Sequence, residues 1–125
     1  MDNGFSLIIA NFRSEKLEAV EKKLEHLCVE RINVTKVKGF GEYHNYYARN
    51  WLDTEVRVEI YTKNHEVEGI VKAIMGTART GDTGYAGDGV VAVLPIQHLY
   101  LIRACAEATE ETFWPHERAE NRHAA

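Results

Sequence analysis

The chain has little that could staple it or carry it across a membrane. Only two of its 125 residues are cysteines, Cys28 and Cys105, far apart and without a CxxC pair. That excludes a disulfide framework and a paired-cysteine zinc site. They read as buried or free thiols of a reducing compartment. No apolar run approaches the ~18 residues of a membrane span. No basic segment precedes the first apolar stretch, so Met1-Asp2-Asn3-Gly4 does not begin a secretion signal and the expected location is cytoplasmic. Positive charge is also short. Fifteen Lys and Arg stand against nineteen Asp and Glu, a formal charge of −4, so non-specific nucleic-acid binding is excluded. The six histidines show no ligand spacing, so no metal is expected. No Ser/His/Asp, Cys/His or paired-carboxylate set stands out, and no enzyme is expected.

What is present is clear periodicity. Residues 5–12 form a compact apolar run and predict a buried strand. Ser14 reads as an N-cap for a helix in which Leu17, Val20, Leu24, Leu27 and Cys28 recur at helical spacing. Residues 32–40 alternate as a strand, residues 42–53 lack either period and read as a loop, and residues 54–62 alternate cleanly. Asn64 reads as the next N-cap, before the stripe Val67, Ile70, Val71 and Ile74. Residues 79–89 hold four glycines and predict a loop. Residues 90–94 predict a buried strand, and residues 98–103 a short extended or helical segment. The order predicts an α+β, ferredoxin-like βαββαβ fold, with an antiparallel sheet and both helices on one face. Self-association is the expected cover for the other face. Residues 1–106 read as the domain and 107–125 as a polar C-terminal tail, frayed from 117 onward. Within the tail, Phe113-Trp114-Pro115 reads either as a tuck onto the assembly or as a partner-binding anchor.

Two glycine-rich loops carry the chemistry. Gly39-Phe40-Gly41 follows Lys38 at a strand end, and Gly81, Gly84, Gly87, Asp88 and Gly89 precede the last long strand. Successive amides in such loops form concave nests for phosphate oxygens. Neither matches a Walker or Rossmann fingerprint. Asp88, between two glycines, reads as a turn cap rather than a catalytic acid. Thr35-Lys36-Val37-Lys38-Gly39-Phe40-Gly41, Arg57-Val58-Glu59-Ile60, Thr77-Ala78-Arg79-Thr80-Gly81, Gly87-Asp88-Gly89 and Ile102-Arg103 together resemble the PII signal-transduction superfamily, over about residues 5–104.

The resemblance implies a homotrimer with ATP or ADP in clefts between subunits, and a T-loop that touches a target protein. It implies that Lys38, Gly39, Phe40 and Gly41 lie at the phosphates and the T-loop root. Gly87, Asp88 and Gly89 would wrap the phosphates from the other side, and Arg103 would be a guanidinium phosphate contact. Asn33 replaces the family's threonine near adenine, and Glu59 would stand close to the cleft. Several positions depart from the family. Its lysine after Gly-Asp-Gly is Val90, and its first closing arginine is Leu101. Tyr43 stands for the glutamine that helps hold Mg²⁺ and 2-oxoglutarate, and Glu55 for the lysine that pairs with 2-oxoglutarate. The expectation is ADP or AMP favoured over ATP, with cyclic AMP an alternative, and no 2-oxoglutarate response. The short loop EYHNYYARNWLD resembles the PII-like branch associated with inorganic carbon and carboxysomes. There Tyr43, Tyr46, Tyr47, Arg49 and Trp51 would meet a partner or bicarbonate. The partner would be a transporter, an enzyme or a carboxysome component. Alternative readings are a nitrogen-type regulator answering ATP and ADP, a small ferredoxin-like phosphotransferase, and a metal-response protein.

Overall fold

The computed structural model describes residues 4–29, 31–38 and 54–113. Strand β1 (Phe5–Arg13) leads through a single 3-10 turn (Ser14–Lys16) into helix α1 (Leu17–His26). Strands β2 (Ile32–Lys38) and β3 (Thr54–Lys63) follow, then a second 3-10 turn (Asn64–Glu66), helix α2 (Val67–Ala78) and strand β4 (Gly89–Ile96). The sheet is antiparallel with order β2-β3-β1-β4, the ferredoxin-like arrangement that the sequence predicts. Pro95, which has no N–H to donate, falls on β4, an edge strand that tolerates the loss.

Register places Ile8, Ala10 and Phe12 of β1 in rows with Ile60, Val58 and Val56 of β3. All six are buried, against Val20 and Leu24 of α1 and Ile70, Ile74 and Ala78 of α2. Each of the larger side chains among them contributes roughly 1.5–3 kcal/mol of burial. On the other face, Leu7, Ile9 and Leu94 stand on the β1–β4 side, while Glu55, Arg57 and Glu59 stand on β3. That face is only partly covered: Leu94 and Val90 are exposed.

Three local expectations are corrected. Ser14 and Asn64 do not open the helices, because each begins a 3-10 turn and no side-chain cap closes either start. The Asn64 side-chain oxygen instead accepts a hydrogen bond from the Ser6 hydroxyl, a contact across 58 positions. Helix α1 ends before Cys28, which lies at φ 64°. The Cys28 amide donates to Glu25 O (3.0 Å) and the Val29 amide to Leu24 O (2.9 Å), a Schellman turn with cysteine where glycine is usual. Both cysteines are free and exposed. Lastly, β4 is not the buried strand that residues 90–94 predict: it stands at the sheet edge with Val90, Val93 and Leu94 exposed. Residues 98–103 take the extended one of their two readings, in a small hairpin of β5 (Tyr100–Leu101) with β6 (Ala106–Glu107).

Beyond the hairpin the chain returns to the sheet. Thr109 and Thr112 cap each other's amides (Thr109 N to Thr112 Oγ1, 2.9 Å; Thr112 N to Thr109 Oγ1, 3.2 Å). This turn aims Phe113 at Phe5, with ring centroids 4.9 Å apart. Phe5, Ala108 and Phe113 form a second buried cluster, bordered by Tyr61, Ile96, Leu99 and Leu101. Phe113 thus packs on the sheet of its own chain. Trp114 and Pro115 lie outside the described residues.

Candidate functional site

The antiparallel register gathers four strand ends at one edge of the molecule: the ends of β1 and β2 and the starts of β3 and β4. Lys38 and Thr54, the two sides of the loop root, are backbone partners there. Gly89 pairs with Phe12 at the same end. Gly39, Phe40, Gly41, Tyr43, Tyr46, Tyr47, Arg49 and Trp51 lie outside the described residues, as does the Lys38 side chain.

The glycine loop between α2 and β4 is organised by one carboxylate. Asp88 Oδ2 accepts from the amides of Thr80 and Tyr85, both at 2.9 Å. Its Oδ1 accepts from the Thr80 hydroxyl at 2.6 Å and from Arg13 Nε at 3.4 Å. Asp88 therefore clasps the loop's start and middle and ties both to the end of β1. Both carboxylate oxygens are thereby engaged by the loop and by Arg13. The same bonds hold its carboxyl well below the ordinary carboxylate range. The Thr80 hydroxyl contributes most, then the amides of Tyr85 and Thr80, and Arg13 least.

A lowered folded-state pKa stabilises above the unfolded value, near 4, and that contribution declines as pH falls toward the folded value. Asp88→Asn should thus lower the urea midpoint at pH 7, and the gap to wild type should narrow by pH 3. A gap independent of pH would show that the ionised clasp contributes nothing.

Gly89 opens β4 at φ 119°. A Cβ there would sit 1.9 Å from the Asn11 carbonyl oxygen. The absent side chain is required by strand approach alone, a demand that the phosphate-nest reading did not contain.

The other predicted residues stand elsewhere. Asn33 is exposed on β2 and its register partner is Glu59, half-buried on β3. Among the described residues no cation pairs with Glu59. Arg103 occupies the β5–β6 turn, exposed, beside the end where Phe5 pairs with Ile96. That row lies seven β1 residues from Gly89, roughly 20 Å at strand rise. Arg103 lines an open cavity of about 650 Å³ with Arg31, a residue that no sequence motif marks. The glycine-loop half and the Arg103 half therefore do not meet within one chain. Val90, in the place of a family lysine, is 66% exposed. Leu101, in the place of an arginine, packs on the Phe5–Phe113 cluster. Among the described residues no group of three or more His, Cys, Asp or Glu could hold a metal, and no helix is long and apolar enough to cross a membrane.

Known proteins agree with this architecture. Residues 5–105 match the family model described as nitrogen regulatory protein P-II. Nitrogen regulatory protein GlnK1 of Methanosarcina mazei is 33% identical over 104 residues, 77% of this chain and 87% of that protein. P-II 1 of Methanothermobacter thermautotrophicus is 34% identical over 103 residues, again 77% and 87%. The crystal structure of Arabidopsis thaliana PII bound to citrate superposes with a TM-score of 0.70 at 28% identity, covering 90% of this chain and 94% of that one. These proteins are regulators, not enzymes, and the chain belongs to the nitrogen regulatory protein P-II family.

Proposed function

We propose that this P-II family regulator binds an adenine nucleotide, with ADP or AMP favoured over ATP, in clefts that two copies of a homotrimer complete. The observation behind this reading is the split site. A glycine loop preorganised by Asp88 lies at one end of the sheet and Arg103 at the other, so one ligand can touch both only across a head-to-tail contact between copies. Such a heterologous contact forms a closed ring of three when its rotation is a three-fold. The exposed Val90 and Leu94 on the uncovered face suit burial in that assembly.

The preference against ATP follows from charge. Val90 and Leu101 offer no cation, and each charge-assisted contact absent from a terminal phosphate weakens binding by about tenfold. Signalling would be a population shift: phosphates at the Lys38–Thr54 root bias the loop of residues 42–53, and a target protein reads that loop. Glu55, half-buried at that root, places a carboxylate where a dicarboxylate effector would need a cation. The short loop and its Arg49 support a bicarbonate response and a partner in inorganic-carbon handling. The names of the relatives favour, as the second reading, a nitrogen-type regulator answering ATP and ADP.

Calorimetric titration with AMP, ADP, ATP and cyclic AMP, with and without bicarbonate, separates the two. ADP and AMP should bind about tenfold or more tighter than ATP. ATP as the tightest ligand would support the nitrogen-type reading instead.

A further inference from the structure

We propose that Arg31 is a nucleotide-specificity residue, supplying beside Arg103 the second guanidinium that Leu101 cannot. This rests on the adenine-nucleotide reading above. Arg31 directly precedes β2 and is exposed; Arg103 sits in the β5–β6 turn and is also exposed. The two share the walls of one open cavity of about 650 Å³, with Tyr100, Ile102, Glu111 and Thr112 around them.

Its described lining holds two guanidiniums and one carboxylate, that of Glu111, and Arg31 and Arg103 each already have a partner of their own. A guanidinium carries five N–H donors, so one contact leaves others to offer, and its fork geometry suits phosphate oxygens. The remaining walls suit a nucleoside. Tyr100 is 62% exposed and Ile102 96% exposed, so both offer apolar surface to a base or sugar without disturbing the core. Leu101 also borders the cavity but brings no charge, and part of its side chain packs on the Phe5–Phe113 cluster. The second cation thus comes from the residue before β2. It is tied to the hairpin only through the fold, and its position in the chain gives no sign of this.

Two cations on one cleft wall distinguish a diphosphate from a monophosphate. Arg31 should therefore set the ratio of ADP to AMP affinity rather than adenine binding as such. The test is titration of wild type, Arg31→Ala and Arg31→Lys with ADP, AMP and inorganic pyrophosphate, at two salt concentrations. Thermal melts without ligand would report folding. Arg31→Ala should weaken ADP about tenfold, leave AMP within about twofold, and flatten the salt dependence of ADP binding. Arg31→Lys should recover part of the loss. Tight pyrophosphate binding that Arg31→Ala also weakens would assign the cavity to the diphosphate moiety itself. An unchanged ADP to AMP ratio in a folded Arg31→Ala protein would overturn the inference. Absence of any adenine-nucleotide binding by wild type would instead overturn the reading beneath it.

Discussion

Gly89→Ala should destabilise the fold by roughly 3 kcal/mol or more, lowering the melting temperature on the order of 10 °C. Two demands coincide at this position. The backbone takes φ 119°, which side chains rarely adopt, and an added Cβ would stand 1.9 Å from Asn11 O and 2.9 Å from Phe12 Cα. Both obstacles are main chain of β1, so relief requires opening the Phe12–Gly89 pair at the edge of the sheet. Gly87→Ala is the control. There the nearest obstacle is an Arg13 guanidinium nitrogen at 2.7 Å, the end of a flexible side chain, and the cost should stay within about 1 kcal/mol. Equal melting temperatures for Gly89→Ala and wild type would contradict the close approach.

The second large effect is expected at Phe113. Its side chain is 3% exposed and packs on Phe5 with the rings tilted by 48°. Phe113→Ala should cost roughly 3 kcal/mol, read as a shift of the urea midpoint. The loss should reach the β5–β6 hairpin, because Leu101 of β5 borders the same cluster and the Ala108 amide donates to Leu99 O at 2.7 Å. Hydrogen exchange at the Ala108 amide should therefore accelerate with the substitution. Arg103 rides on that hairpin, so nucleotide affinity should fall as well. A residue that served only as an anchor for a partner would leave both stability and exchange unchanged.

Most of the fold was legible because burial imposes period. The alternation of Val56, Val58 and Ile60, and the helical stripe Val67, Ile70 and Ile74, each point one face inward and leave few arrangements open. What escaped had no period to show. The strands β5 and β6 have two residues each. The turns that close α1 and the hairpin put positive φ on Cys28 and Cys105, where a sequence reader looks for glycine or asparagine. Asn64 carries a good capping side chain, yet Ser6 engages its oxygen from a distant strand.

The candidate site was legible in the same uneven way. Asp88 between glycines already suggests a turn cap, and its contacts with Thr80 and Tyr85 have that form. Gly89 in its glycine-rich setting suggests a ligand loop, yet the β1 backbone demands it first. Arg31 precedes a strand with no motif around it, and only the fold brings it to the cavity of Arg103.

The split cleft is tested most directly by complementation. Asp88→Ala disables the glycine-loop half and Arg103→Ala the hairpin half, so each variant alone should lose ADP binding by tenfold or more. After subunit exchange, a mixture should regain sites of wild-type affinity, each formed by the intact loop of one copy and the intact Arg103 of another. Calorimetry of the mixture is then expected to show a tight fraction absent from both parents. A mixture as weak as its parents, with subunit exchange verified, would contradict a cleft shared between copies.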